Sequence, residues 1–210
     1  PQLDNSNFQT ASHACDVLGM LGSDAAGATD KLLKLTAASN VELRSHAVRA
    51  LGAIRSKPEV VVPELAKQLK SEAPVVRLSA AKALGDIGAA SATAVPELIA
   101  ALKDSDAGVR RIAADSLGDI GPGAKAAIPA LSTALDDPSG SVTINAAEAL
   151  GRIGKASVPA LIEKLKVPHF QMLVATILGE MGPDAAEAVP DLAGLLNSKD
   201  TDVRREAALS

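Results

Sequence analysis

The side chains that could do chemistry are few. Three histidines (His13, His46 and His169), one cysteine (Cys15) and two glycine-rich stretches are the places to look first. A metal or acid–base centre needs His, Cys, Asp and Glu to converge on one point. His13 and His46 stand 33 residues apart, and as shown below the chain repeats at that interval. They are expected to stack in adjacent layers, where two imidazoles alone do not complete a ligand set. Gly121-Pro122-Gly123-Ala124-Lys125-Ala126 faintly resembles a dinucleotide loop, but it follows a helical pattern and not the strand such a loop requires. Gly154-Lys155-Ala156-Ser157 faintly resembles a phosphate loop and lacks the earlier glycine spacing. Cys15 occupies a position that holds Ala or Val in every other unit, which reads as a small buried thiol rather than a nucleophile. No Gly-x-Ser-x-Gly occurs. The expectation is a chain with no catalytic constellation, no metal site and no cofactor.

Whatever positions these residues must be periodic. The pair Leu-Gly recurs at Leu18, Leu51, Leu84, Leu117, Leu150 and Leu178, at intervals of 33, 33, 33, 33 and 28. A fixed period of this size marks a repeat architecture. Counting from each Leu, small or apolar residues recur at −4, −1 and +3, as in Ala47, Ala50 and Ile54. With the Leu they make one face of an α-helix, here helix A. Eleven residues before the Leu stand Asn7, Asn40, Asp106, Ser139 and Asp200, all good N-caps. Where the cap is missing, Pro74 and Pro168 open the helix instead. Four residues after the Leu, Gly22, Gly88, Gly121, Gly154 and Gly182 predict a left-handed stop, with Arg55 the exception.

A second helix, B, follows in each unit. Pro63, Pro96, Pro129, Pro159 and Pro190 recur with Leu at +2 and +6, as in Leu98 and Leu102. That spacing makes an apolar stripe, and proline is harmless in a first turn. The first unit lacks the proline, and its helix B near Asp30 to Ala37 is less regular. One helix pair cannot bury its own apolar face, but stacked neighbours can. The reading is a single array over 1–210, with units near 7–39, 40–72, 73–105, 106–138, 139–166, 167–199 and a partial 200–210. Six pairs at about 10 Å per layer would span about 60 Å. The last unit stops where its Leu should follow, which suggests a longer array or an edge that another chain covers. End-to-end self-association through the terminal units is the corresponding partner expectation.

Composition agrees. Hydrophobic residues make up 47% of 210 and aromatic residues 1%, with no Tyr or Trp. A core built from Ala, Leu, Val and Ile suits closely packed helices better than a β-sandwich. The net charge of −4 argues against nucleic acid, which calls for a basic face. No apolar run is long enough to predict a membrane span. A lone cysteine excludes an internal disulfide framework, and the compartment stays open.

The stretch Val109-Arg110-Arg111-Ile112-Ala113-Ala114-Asp115-Ser116-Leu117-Gly118-Asp119-Ile120-Gly121, then Ala127-Ile128-Pro129-Ala130-Leu131, resembles the HEAT family, in the short form seen in phycobilisome lyase subunits. The resemblance runs through residues 7–210 and implies an all-α, right-handed α-α superhelix of about six helix pairs. Tetratricopeptide units of similar length need aromatic landmarks that are missing here. HEAT-like di-iron hydroxylases need His-Glu pairs, and no His here precedes Glu. In HEAT proteins an Arg of helix A and an Asp just before it form a ladder between units. The Arg position holds Arg44, Arg77, Arg110 and Arg204, with Thr143 and Gln171 in two units. Acidic candidates are Asp104 and Asp106, with Asp200 and Asp202 in the last unit.

The resemblance also places helix B on the concave side. Outward positions at +1, +4 and +5 from its proline include Glu64, Lys67, Gln68, Glu97, Thr133, Glu163, Lys164 and Asp191, the candidate contacts for a protein or peptide partner. The unit after Leu150 has lost five residues, close to Pro168, His169 and Phe170, which should change the superhelical path there. The leading reading is a non-catalytic protein-interaction scaffold. The alternatives are an accessory subunit of an enzyme, such as a lyase or chaperone-like component, and a nucleic-acid-binding relative, against which the acidic balance weighs.

Overall fold

The structure, a computed structural model, describes residues 7–210, and every regular element among them is helical. Helix A of successive units gives α1 (Phe8–Leu21), α3 (Val41–Ile54), α5 (Pro74–Ile87), α7 (Ala107–Ile120), α9 (Gly140–Ile153), α11 (Gln171–Met181) and α13 (Thr201–Leu209). Helix B gives α2 (Thr29–Leu35), α4 (Pro58–Gln68), α6 (Val95–Ala101), α8 (Ile128–Ala134), α10 (Val158–Leu165) and α12 (Val189–Leu195). Odd helices pack on odd helices in order, and each even helix packs on the odd helix that follows it. The result is an α-α solenoid with one continuous core from Ala11 to Leu192. Leu51, Leu84, Leu117 and Leu150 are at most 1% exposed. Burial of each contributes on the order of 2–3 kcal/mol.

The helix boundaries follow from capping. Asn7, Asn40, Asp106 and Asp200 accept backbone N–H groups of the first turn of α1, α3, α7 and α13. Ser139 makes no such bond, because its hydroxyl meets that of Ser141. The five stop glycines have positive φ, but their ψ lies between −129° and −156°, outside the left-handed helical basin. Only glycine enters that region readily. Arg55, at the same position, is held in the left-handed basin itself (φ 54°, ψ 26°).

That difference changes the second unit. Four units run from the glycine through a seven-residue 3-10 segment, such as Gly88–Ala94, before helix B begins. After Arg55 and the left-handed Lys57, α4 begins at once on Pro58. Pro63 therefore lies inside α4 and not in its first turn as expected. Its ring faces solvent, where its missing N–H is tolerated. Pro96, Pro129, Pro159 and Pro190 are each the second residue of their helix, as expected.

The odd helices approach one another closely because small residues face each other. A methyl placed on Gly52 would lie 2.4 Å from Cα of Ala83. One on Gly85 would lie 2.7 Å from the Ser116 hydroxyl, which donates to the carbonyl of Ala81 at 2.8 Å. The even helices stand further apart. Open grooves of about 330 and 290 Å³ lie between α4 and the segment ending in α6.

Candidate functional site

Arginine, with a planar fork of donors, can bridge layers that a short side chain cannot. Arg77 donates to both oxygens of Asp104, at 2.6 and 2.8 Å, and to the carbonyls of Ser71 and Glu72. Arg110 repeats the geometry with Asp137, at 2.7 and 2.9 Å, and with the carbonyl of Asp104. Each pair is almost buried, with side-chain exposures of 9–14%. The arginine hydrogen bonds hold the carboxyls of Asp104 and Asp137 below the ordinary carboxylate range.

The ladder is shorter than its candidates. Asp106 is not a rung, because its carboxylate caps α7 by accepting from the N–H of Val109. Asp200 caps α13 in the same way, and Asp202 pairs with Arg205 on its own helix. Asp137 is a rung that the sequence reading missed. It stands 27 residues after Arg110, as Asp104 does after Arg77, and that spacing could have found it. At the matching place for Arg44 stands Ser71. Among the described residues Arg44 reaches only the carbonyl of Ala38, at 3.4 Å, and its buried Nε finds no partner there. Arg204 donates to the carbonyls of Ser198 and Lys199 and to the Thr201 hydroxyl. Thr143 and Gln171 satisfy local carbonyls with shorter side chains. Supplying the missing carboxylate by Ser71→Asp is expected to stabilise the chain by about 1 kcal/mol, the order of one charged hydrogen bond. Urea unfolding of the variant beside the parent measures this.

The even-helix candidates divide. Lys67, Glu97, Thr133, Glu163 and Asp191 lie wholly or partly in solvent. Glu64 is turned inward to receive the Thr36 hydroxyl at 2.9 Å and the Gln68 amide at 2.7 Å. Gln68 is a correction. It is 8% exposed and also donates to the carbonyl of Thr36, tying α4 to the end of α2. Ala101 and Ala134 share its +5 position and are 8% exposed as well. At 100° per residue, +5 lies only 60° from the apolar +2 position, so it borders the stripe and does not oppose it. Lys164, also at +5, pairs with Asp136 at 2.7 Å and lies 5.0 Å above the ring of Phe170.

A second charged surface lies along the odd helices and was not singled out from the sequence. Arg152 lies across Gly118, where no Cβ would fit beside it, and donates to Asp115 at 2.7 Å and Asp119 at 2.6 Å. Burial first, then the neighbouring Asp115, pushes the Asp119 carboxyl up. Lys82 pairs with Asp86 at 3.0 Å, which raises its ammonium above the ordinary value. Glu148 and Glu180 are exposed on the same side. His46 meets Asp16 at 2.6 Å, beside Arg49. His13 is exposed one layer away, and no group of three His, Cys, Asp or Glu able to hold a metal occurs among the described residues. Cys15 is fully buried, and burial pushes its thiol up to about 11. Iodoacetamide at pH 8 is expected to leave it unmodified in the folded chain and to label it on unfolding, read by intact mass.

Stacked helix pairs clamped by an arginine–aspartate ladder define an α-solenoid repeat protein. The family model for HEAT repeats matches residues 62–143, 95–172 and 128–210, more than half of the chain, and the chain belongs to the HEAT-repeat family. No curated protein matches it in sequence. Among solved structures it is similar to an engineered protein, with a TM-score of 0.64 at 24% identity over 99% of this chain and 91% of that one. It is similar to the complex of CpcE and CpcF of phycocyanin lyase from Nostoc sp., with a TM-score of 0.63 at 24% identity over 99% and 90%. A designed armadillo repeat protein in complex with the peptide (KR)4 gives 0.62 at 20% identity over 99% and 94%. At these identities the likeness shows the fold alone. No helix among the described residues is long and apolar enough to cross a membrane.

Proposed function

We propose that the chain is a non-catalytic scaffold that holds a partner protein or peptide along the face of its odd helices, acting as one repeat array. One observation carries the choice of face. The odd helices touch backbone to methyl, as Gly52 and Ala83 do, while grooves separate α4 from α6. In a bent stack the closely spaced layer is the inner one, which supports the odd helices, and not the even ones, as the concave side. The even-helix set Lys67, Glu97, Thr133, Glu163 and Asp191 then forms the outer face. Two similar structures add support: one is a complex of two chains, and the other holds a peptide. The lyase complex also supports a second reading, an accessory subunit of an enzyme, which uses the same face.

Affinity capture with the whole chain tests the face. Reversing Glu148 and Glu180 to Lys is expected to abolish capture of the main partner, and reversing Lys67 to Glu with Glu97 to Lys is expected to preserve it. The opposite pattern assigns the partner to the even helices.

A further inference from the structure

The seam between α9 and α11 is open where the earlier ones are closed. Ala50, Ala83, Ser116 and Ala149 fill the position before the repeat Leu and let neighbouring helices meet. In α11 that position holds Ile177, which is 4% exposed and wedged inward. A methyl on Gly151 would have only Cγ2 of Ile177 within 4 Å outside its own helix, at 3.0 Å. Two hollows follow along this seam. One, about 440 Å³, lies between Glu148 and Glu180 with Ile177 and Met181 beneath. The other, about 710 Å³, is walled by Ile144 and Met172 and floored by Phe170. The ladder arginine that would reach across this second hollow is replaced by Thr143, whose hydroxyl turns back to the carbonyl of Leu135. Ile144 and Met172 are 48% and 53% exposed, which is unusual for large apolar side chains facing each other across one groove.

The rim has a definite sign. Its cations are already taken, Lys164 by Asp136 and Arg152 by Asp115 and Asp119. His169 at the mouth lies against the ring of Phe170. Glu148 and Glu180 are exposed and make no ion pair among the described residues. We infer that this groove receives an amphipathic, basic α-helix of a partner protein. Its apolar side lies on Ile144, Met172 and the partly exposed Met181, and its Lys or Arg side chains meet Glu148 and Glu180. A third helix laid along α9, about 20 Å, matches about 14 residues of partner. The inference rests on the scaffold reading above and names the site and the partner chemistry.

Fluorescence anisotropy with the whole chain tests it. The probe is a fluorescein-labelled synthetic helix of about 14 residues with Leu on one side and Lys on the other. Binding is expected to weaken at least about tenfold in Ile144→Asp/Met172→Asp, and as much in Glu148→Lys/Glu180→Lys. Glu97→Lys/Asp191→Lys, the same charge change on the even helices, is expected to leave binding unchanged. Thermal midpoints establish that each variant folds, and Ile177→Ala, which lets α11 close on α9, supplies a second loss of binding if the aspartate pair does not fold. Equal loss in the Glu97/Asp191 variant, or undiminished binding to the Ile144/Met172 and Ile177 variants, overturns the proposal. If the probe fails while partner capture still depends on the odd helices, the groove is wrong and the scaffold stands. If capture shows no such dependence, the reading beneath the proposal falls.

Discussion

Gly52→Ala is expected to destabilise the chain by about 3 kcal/mol, the upper end for overpacking a tight core. The reason is the identity of the obstacle. The new methyl would lie 2.4 Å from Cα and 2.5 Å from Cβ of Ala83. Neither atom can rotate away, so α3 and α5 must separate along their length. Helix propensity works in the opposite direction, since Ala gains about 1 kcal/mol over Gly inside a helix. A net loss therefore reports the packing, and a net gain would show that the layers slide freely. Gly19→Ala is the control. There the nearest atom, Cα of Ala50, is 3.5 Å away, and the change is expected to be neutral or stabilising. Urea denaturation of the two variants beside the parent decides it.

Asp137→Ala is expected to cost about 3 kcal/mol at neutral pH, as for one partner removed from a nearly buried ion pair. It strips the carboxylate from the Arg110 fork and from the N–H of Ser139. The loss should also depend on pH in a definite direction. The carboxyls of Asp104 and Asp137 titrate lower in the folded chain than in the unfolded one. Their contribution is therefore complete above the unfolded value, about 3.9, and disappears as pH falls through the lower folded value. The parent should lose stability steeply below about pH 4. Asp137→Ala should start lower and fall less, so the two curves converge in acid. A constant gap down to about pH 2 would mean that the pair is not coupled to folding.

Much of this architecture could be read from the residues, and the failures have local causes. Leu-Gly spacing located α1, α3, α5, α7, α9 and α11, and in most layers that glycine meets a small residue, as Gly19, Gly52 and Gly85 meet Ala50, Ala83 and Ser116. The N-cap and proline signals placed the starts of α3, α5 and α7 on the residue expected. Pro63 was misplaced because its position depends on a turn eight residues upstream, where Arg55 changes the backbone basin. Asp106 and Asp104 both precede the same helix and have the same chemistry. Only the reach of Arg77 across a layer separates the rung from the cap. Gln68 looked like a solvent residue because its type is polar, although its angle puts it beside the apolar stripe. The groove between α9 and α11 was partly visible as five missing residues. Its opening, however, is the work of Ile177, which counts as one more apolar match in any periodic pattern.

An array clasped by backbone-to-methyl contact through its early layers, and propped by a branched side chain at one later seam, is not uniformly stiff. Bending under thermal load is expected to gather at the joint between α9 and α11, with the blocks on either side tilting as units. A ligand helix laid into that joint would act as a splint. Occupancy of one short groove would then set the angle between the two ends of the rod, so the protein's shape would register whether its partner is present.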